Sequence, residues 1–203
     1  MRRSSLYVPG DRPDRFSKAA GSGADAIILD LEDAVAVSEK DTAREHVAAF
    51  LAEHADDGGP ARLVRLNSDA FADDLDALGN VPVDAFSLAK ASMDGLDRLD
   101  DHLGDREVPV VALIETAAGF EEVARIARHH RVETLAIGEA DLTAELGIRP
   151  SVDEHELWPL RIQLVVASAA AQITPPTAPV STDFNDPAAV SISATTGTSR
   201  SPR

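Results

Sequence analysis

Two acidic side chains each follow a stretch that is predicted to be a buried strand. The run 109–114 leads into Glu115, and the run 134–138 is followed by Asp141. Apolar runs of this length, bounded by turn residues, are typical of strands covered on both faces in a parallel sheet. Because the carboxyl ends of parallel strands form binding sites, these two carboxylates could hold Mg²⁺. Each could also cap a loop or pair with an arginine.

An arginine and three acids lie at the ends of two other predicted strands. Arg65 falls within the run 62–67, where its guanidinium could bind a carboxylate, stabilise an enolate oxygen, or form a structural salt bridge. Asp30, Glu32 and Asp33 follow the run 26–29. Asp30 and Glu32 are expected to point to different sides. We therefore expect one acid to orient Arg65 or a metal-bound water, and the others to be structural.

Several neighbouring residues receive no catalytic role from the sequence. Lys90 follows another apolar run but lacks any evident device for lowering a lysine pKa, so a Schiff base is not expected. Gly119 and Gly138 are interpreted as residues whose missing side chain allows tight turns of the backbone beside the site. His129 and His130 are predicted to lie on the surface at a helix end.

Strands and helices alternate along the chain at 20 to 30 residues per unit, which indicates parallel βα units. The spacing predicts an α/β fold of the TIM (β/α)₈ type, incomplete at about seven units, because a full barrel typically needs about 250 residues. Capping boxes predict one helix starting at Ser38 with Asp41, and another at Ser151 with Glu154. The predicted strands are 6–10, 26–29, 62–67, 85–90, 109–114, 134–138 and 178–184; the predicted helices cover 13–20, about 38–51, 68–78, 96–103, 120–130 and 151–172, the last kinked at Pro159.

Composition limits the classes of partner. We expect one barrel domain over 1–190 and a disordered polar tail over 191–203. A net charge of −16 argues against nucleic acid, and no apolar run approaches the roughly 20 residues of a membrane span. With no signal peptide evident, the cytoplasm is expected. Three lysines against sixteen arginines suit either a salt-rich (halophilic) cytoplasm or an ordinary acidic enzyme from a GC-rich genome.

Six short motifs together resemble one family. Taken in their order along the chain, these motifs resemble the citrate lyase β-subunit-like family. That family is part of the HpcH/HpaI aldolase superfamily, together with the malyl-CoA, β-methylmalyl-CoA and citramalyl-CoA lyases. The resemblance covers about 3–186, is specific for the family and is unspecific about substrate. The motifs are Arg3–Phe16, Asp30–Val35, Glu39-Lys40, Arg65–Asn67, Ile114–Thr116 and Gly138–Leu142.

The resemblance implies roles for individual residues. Glu115 and Asp141 match the two Mg²⁺ ligands, and Arg65 matches a residue that would bind substrate and share in catalysis. Catalytic support would come from Asp30 and Glu32. The positions that would contact the CoA nucleotide, by stacking on adenine and meeting phosphates, are Tyr7, Arg12 and Lys18, although the two cations could also belong to a solvated helix face.

The implied reaction is Mg²⁺-dependent cleavage of a 3-hydroxyacyl-CoA of the malyl-, citramalyl- or citryl-CoA type. Its products would be a small 2-oxo acid and an acyl-CoA, and a homo-oligomer, a trimer or hexamer, is expected. Active relatives carry a C-terminal segment with a proton-transfer aspartate, and this sequence shows no recognisable equivalent. Two alternatives therefore stay open: a non-catalytic CoA- or metal-binding subunit or pseudoenzyme, and a metal-dependent 2-oxo acid aldolase that acts without CoA.

Overall fold

Six parallel strands form the centre of the molecule in a computed structural model, which describes residues 2–55 and 58–180. Each strand pairs with the strand before it in the sequence, as expected of consecutive βα units. The α/β class and the barrel-type strand order are therefore confirmed, and within the described residues the sheet stays open between its first and last strands. The strands are β1 (Ser5–Pro9), β2 (Ala26–Asp30), β3 (Ala61–Leu66), β4 (Ala85–Leu88), β5 (Val110–Ile114) and β6 (Val132–Ile137).

Helices connect successive strands and cover the outer face of the sheet. Apolar positions at helical spacing, such as Ala43, Val47 and Leu51, are buried against the strands. Single 3₁₀ turns, Pro13–Arg15 and Val37–Glu39, precede the first two helices. The helices are α1 (Phe16–Ala20), α2 (Lys40–Glu53), α3 (Phe71–Leu78), α4 (Met93–Leu103), α5 (Ala117–Glu121), α6 (Val123–Ile126), α7 (Glu139–Leu146) and α8 (Trp158–Ala171).

The sheet separates two apolar clusters. The large cluster lies between the strands and the helices, and it includes Ile27, Leu29 and Phe86. The alternate residues of the same strands, among them Ile28 and Leu63, form a smaller cluster on the concave inner face. Because side chains alternate along a strand, this inner set continues to the carboxyl edge, where polar side chains replace the apolar ones.

Two predicted helix starts are wrong. Ser38 lies in a 3₁₀ turn, and α2 begins at Lys40 without a side-chain cap. The second predicted start, at Ser151, falls in a loop whose Glu154 has φ +52°, and α8 begins at Trp158. Ser151 instead binds Glu156, through both its backbone N–H and its hydroxyl. These serines satisfy local loop groups, which a capping pattern alone does not distinguish from a true N-cap.

Other boundaries also differ from the prediction. Pro159 occupies the first turn of α8, where proline is tolerated, so it does not kink the helix. The helix predicted over 120–130 is two short helices, α5 and α6. The chain pairs with β6 earlier than the predicted seventh strand at 178–184, because Thr174 forms a parallel bridge with Thr134. Residues 178–180 contain no strand. The rest of the predicted strand and the predicted tail at 191–203 lie outside the described residues.

None of the helices within 2–55 and 58–180 combines the length and the apolar character that crossing a membrane requires.

Candidate active site

The polar residues singled out from the sequence converge at the carboxyl edge of the sheet. Asp30 is the last residue of β2, and Arg65 is the next-to-last residue of β3. Glu115 follows β5 directly, and Asp141 lies in the first turn of α7, which follows β6. Since all six strands are parallel, their carboxyl ends share one edge, and the chain order alone brings these side chains to the same end of the barrel.

Arg65 is fixed by its neighbour on the adjacent strand. Asp30 and Arg65 are register partners in the β2–β3 ladder. The Asp30 carboxylate accepts hydrogen bonds from Arg65 Nε at 2.7 Å and from Nη2 at 2.5 Å, a bidentate pair that is almost fully buried. Burial lowers the pKa of Arg65, but the hydrogen bonds and charge of Asp30 outweigh it and the net shift is upward. The guanidinium is therefore permanently charged and held in one orientation.

Glu32 faces the same guanidinium as Asp30, so the prediction that they point to different sides is wrong. Residues two apart along a strand share a face, so a period of two itself places Asp30 and Glu32 on one side. Asp30 ends β2, and its Oδ1 accepts the Glu32 backbone N–H at 2.9 Å as the chain turns. Glu32 Oε2 lies 3.0 Å from Arg65 Nη1, and Oε1 accepts a hydrogen bond from Lys90 Nζ at 3.0 Å. Among the described residues, the buried Oε2 atom has no hydrogen-bond donor in good geometry. Asp33 lies farther out, 3.6 Å from Arg65 Nη1 and largely exposed.

Glu115 is a carboxylate held against the backbone of two neighbouring segments. Its side chain is buried, and Oε1 accepts the Lys90 backbone N–H at 2.8 Å. Gly138 lies against it so closely that a Cβ atom there would overlap the carboxylate. Gly138 is thus a close-approach position with ordinary φ rather than a tight turn. Burial raises the pKa of Glu115 to about 7, and the nearby charges of Glu32 and Asp141 act in the same direction.

Of the two acids at the start of α7, only Asp141 remains available for the site. Glu139 is engaged by Arg161 of α8 through two hydrogen bonds of 2.5 and 2.7 Å. Asp141 is exposed at the barrel rim, and its charge contributes to the raised pKa of Glu115. The charge of Asp141 therefore makes a small contribution, after burial, to the raised pKa of Glu115, as is expected of two acids at the carboxyl end of the β5–β6 pair.

The donor set fits a hard divalent cation. Glu115 and Asp141 supply carboxylate oxygens, the ligands that Mg²⁺ prefers, and the exposure of Asp141 leaves room for water and substrate oxygens. The acids at this edge outnumber the nearby cations, Arg65, Lys40 and Lys90. Burial is the main cause of the raised pKa of Glu115, with smaller contributions from the charges of Glu32 and Asp141, and a bound cation would stabilise the ionised carboxylate.

The three residues expected to contact CoA do not lie together. Tyr7 points into the barrel, packs against the inner apolar cluster, and places its ring centroid 5.3 Å from Arg65 Cζ. Burial raises the pKa of its phenol. Arg12 lies outside, paired with Asp14 through two hydrogen bonds of 2.8 Å, and Lys18 is exposed on α1. Both cations follow the carboxyl end of β1 and flank the rim, whereas Tyr7 lies beneath it.

Lys40 is a residue whose role sequence reasoning missed. Its ammonium donates hydrogen bonds to the backbone carbonyls of Leu31 and Glu32, both at 2.5 Å, and to Asn67 Oδ1 at 2.6 Å. Asn67 in turn binds the fully buried Asp74, which also accepts a hydrogen bond from Arg44 at 2.8 Å. This network fixes the loop after β2 against the end of β3. The available signal was lysine scarcity: Lys40 is one of three in the chain.

The sequence predicts no Schiff base at Lys90, yet this residue contacts both Glu115 and Glu32 of the site. Its backbone has φ +46°, a conformation uncommon for residues other than glycine. That conformation turns its N–H toward Glu115, while its side chain reaches Glu32. Sequence gave no signal for this arrangement, because the positive φ depends on how the loop after β4 packs.

A second group of titratable side chains lies at the opposite, amino-terminal end of the barrel. His129 Nε2 lies 3.5 Å from Asp97, and His130 Nε2 lies 3.2 Å from Asp100. The His129 side chain is buried, so the prediction of a surface residue is wrong for it and correct for His130. Asp100 is already bound by Arg131 at 2.6 Å, and the His129 Nδ1 atom accepts the Arg131 N–H. Because these side chains already bind one another, we interpret them as an ion-pair cluster that joins α4 to the loop before β6.

This chain is similar to several known proteins in sequence and in fold. The (3S)-malyl-CoA thioesterase of Cereibacter sphaeroides is 40% identical over 151 residues, which are 72% of this chain and 52% of the relative. The citrate lyase beta subunit of Mycobacterium tuberculosis complexed with oxaloacetate and magnesium is 31% identical, with a TM-score of 0.76 over 90% of this chain and 80% of that one. CitE from the same organism, in complex with magnesium, acetoacetate and coenzyme A, is 30% identical, with a TM-score of 0.74 over 90% and 67%.

The chain spans about half the length of the curated relatives it matches. The family model for HpcH/HpaI aldolase/citrate lyase matches residues 3–199, nearly the whole sequence. With this match over most of its length and a parallel barrel-type sheet, the chain belongs to the HpcH/HpaI aldolase/citrate lyase family.

Proposed function

We propose that the chain forms the Mg²⁺-binding barrel of a lyase that cleaves a 3-hydroxyacyl-CoA, such as malyl-CoA, into a 2-oxo acid and an acyl-CoA. The observation that carries this proposal is that Glu115 and Asp141 follow the adjacent strands β5 and β6 at the barrel edge that also holds the oriented guanidinium of Arg65. The substrate would carry a carboxylate and, on the neighbouring carbon, the hydroxyl group. Such a substrate requires a cation site and a fixed anion-binding group on one rim.

Glu115 and Asp141 are the residues that would hold Mg²⁺, which when bound supplies a Lewis acid for the hydroxyl and carboxylate oxygens of the substrate. In the reaction the hydroxyl loses its proton and the carbon–carbon bond breaks. The new carbonyl belongs to the 2-oxo acid, and the electron pair passes to the thioester enolate, which then takes up a proton. Burial of Glu115 and its contact with the Lys90 N–H keep its carboxylate in a fixed position throughout.

Arg65 would bind the substrate carboxylate or the enolate oxygen. Asp30 occupies Nε and one N–H of Nη2, while Nη1 lies 3.0 Å from Glu32 Oε2 and 3.6 Å from Asp33 Oδ2. A ligand would meet the guanidinium at this Nη1 edge by displacing those carboxylates. Because the Asp30 pair is buried, the guanidinium does not have to be reorganised when substrate binds. Tyr7 packs against Arg65 and would limit the volume below the reacting carbons.

Arg12 and Lys18 would meet the phosphates of CoA at the rim. Both are accessible, and both follow the carboxyl end of β1, on the side of the barrel where the thioester would enter. A phosphate would compete with Asp14 for Arg12. The magnesium, acetoacetate and coenzyme A complex of the similar M. tuberculosis protein supports CoA as the class of ligand.

Thioester hydrolysis is the second candidate reaction, and one observation favours it: the 40% identical relative is a (3S)-malyl-CoA thioesterase. Water would then add to the thioester carbonyl, the carbon–sulfur bond would break, and malate and free CoA would form. The same Mg²⁺ ligands and Arg65 would position the substrate, so the two reactions differ in the bond that breaks.

One assay separates the two reactions. Purified protein is incubated with Mg²⁺ and malyl-CoA, and both the 2-oxo acid and the free thiol are measured. Lyase activity yields glyoxylate and acetyl-CoA with no free thiol, whereas hydrolysis yields one thiol per malate and no glyoxylate. Turnover of neither kind, with Mg²⁺-dependent CoA binding retained, would support the non-catalytic subunit, and turnover of CoA-free 2-oxo acid aldols would support the aldolase.

A further inference from the structure

Lys90 joins the two halves of the proposed site. One half contains the metal-ligand carboxylate of Glu115, and the other contains Arg65 with Asp30 and Glu32. Lys90 contacts both, through its backbone N–H to Glu115 at 2.8 Å and through Nζ to Glu32 at 3.0 Å. Within the described residues, these two contacts link the halves directly through hydrogen bonds.

The backbone of Lys90 is held in a strained conformation for this purpose. A φ of +46° is unfavourable for a residue with a Cβ atom, and such residues cluster at functional sites. The conformation directs the N–H at Glu115 Oε1 and leaves the side chain on the Glu32 side. A glycine here would give the same N–H without the strain and without the ammonium.

The ammonium of Lys90 controls how Glu32 interacts with Arg65. Lys90 Nζ holds Glu32 Oε1, and this leaves Oε2 beside Arg65 Nη1 at 3.0 Å in poor hydrogen-bond geometry. Without that ammonium, Glu32 is free to rotate toward Nη1 and form a full hydrogen bond with it. Nη1 is the edge left open by Asp30, so Glu32 would then compete with the carboxylate of a ligand.

We propose that Lys90 is a positioning residue that holds Glu32 so that its Oε2, 3.0 Å from Arg65 Nη1, forms no full hydrogen bond there, and the carboxylate of a 2-oxo acid or hydroxyacyl substrate can displace it from Nη1. This inference rests on the proposed function of the site. It assigns Lys90 a role in substrate affinity, separate from metal affinity, because the Glu115 contact is made by its backbone.

The test compares K90M, K90G and K90R with the wild-type chain and with R3M. Arg3 forms an exposed ion pair with Asp25 before β1, at the opposite end of the barrel, and serves as the control for loss of a cation. Three quantities are measured by titration calorimetry and steady-state assay: Mg²⁺ affinity, glyoxylate and oxaloacetate affinity at saturating Mg²⁺, and turnover of malyl-CoA.

In K90M and K90G we expect oxo-acid affinity to fall about tenfold or more, the loss expected when a charge-assisted hydrogen bond is disturbed. Mg²⁺ affinity should stay within about twofold, because both variants keep the N–H. K90R should restore most of the affinity, and R3M should match the wild type. K90G should melt at or above the wild-type temperature, since it relieves the positive φ, and this separates positioning from a folding defect.

Unchanged oxo-acid affinity in a folded K90G would overturn the inference, and so would equal losses of Mg²⁺ and oxo-acid affinity. The oxo-acid titration does not depend on turnover. If the wild type binds oxo acid but cleaves no thioester, the proposed reaction fails while the role of Lys90 is still decided. Should the wild type bind no oxo acid in the presence of Mg²⁺, both proposals fall together.

Discussion

Asp30 and Arg65 face each other across the β2–β3 ladder as register partners, joined by two hydrogen bonds of 2.7 and 2.5 Å with both side chains nearly buried. The pair is set by the sheet itself, because any two residues at the same register position on neighbouring strands project to the same face. The orientation of the guanidinium is therefore decided by the pairing of the strands before any ligand binds.

Replacing Asp30 with Asn should cost about 3 kcal/mol of unfolding free energy, since a buried guanidinium would lose its bidentate partner. Turnover should fall by more than about tenfold because Arg65 would no longer be fixed. Urea denaturation and steady-state kinetics measure both. D33N is the matched control: Asp33 is 58% exposed and 3.6 Å from Arg65, and its loss should change stability by less than about 1 kcal/mol. Equal effects of the two substitutions would contradict this interpretation.

Gly138→Ala should weaken Mg²⁺ binding by about tenfold or more, because the new methyl group would overlap the Glu115 carboxylate and displace it. A Mg²⁺ titration followed by thermal shift measures the change. The control is Gly21→Ala, where φ is −83° and the nearest atom, Ser17 O, lies at 3.4 Å. An alanine at 138 that left Mg²⁺ affinity unchanged would show that the carboxylate does not need its present position.

Mg²⁺ should raise the melting temperature of the wild-type chain, by the usual linkage between ligand binding and folding. This increase should disappear in E115Q and in D141N, because each removes one proposed ligand. In EDTA, E115Q should be at least as stable as the wild type, since a neutral amide replaces a buried carboxylate whose ionisation burial disfavours. E139Q, which changes an acid bound by Arg161, is the control that should keep the Mg²⁺ response.

Lys40→Met should destabilise the fold by about 2–4 kcal/mol, because two backbone carbonyls and the Asn67 side chain would lose their donor in a largely buried region. The loop after β2 would loosen, and Asp30 and Glu32 with it. Hydrogen exchange of this loop should report the change locally. The exposed Lys18 offers the comparison, since K18M should leave stability within about 0.5 kcal/mol of the wild type.

The contribution of His129 to stability should decline as the pH falls below about 6.5. Burial lowers the pKa of His129, as does His130, although Asp97 and Asp100 oppose the shift. The folded state therefore favours the neutral ring, and the contribution to stability is full above the unfolded pKa and lost as the pH drops through the folded pKa. A proton on Nδ1 would also face the N–H of Arg131. His129→Gln should flatten the dependence between pH 7 and 5, as measured by urea denaturation at each pH.

The strands were predictable because their signal is local. Runs such as 110–114 are apolar without interruption, and an uninterrupted apolar run is sufficient to predict a strand that is buried on both faces. The starts of α2 and α8 were not predictable, because Ser38 and Ser151 carry capping patterns that their loops use differently. The shared orientation of Asp30 and Glu32 was also missed, although residues two apart along a strand lie on one face and both acids contact Arg65.

By itself the sequence determined the order of the strands and which acids and arginine would lie at their carboxyl ends, since parallel βα units place every strand end at one edge. Tertiary structure alone decided which contacts form there. The positive φ of Lys90, the close approach of Gly138 to Glu115 and the insertion of Lys40 beneath the β2 loop arise from packing between segments tens of residues apart. Such contacts depend on distances of a few tenths of an ångström between elements, and no periodicity along the chain encodes them.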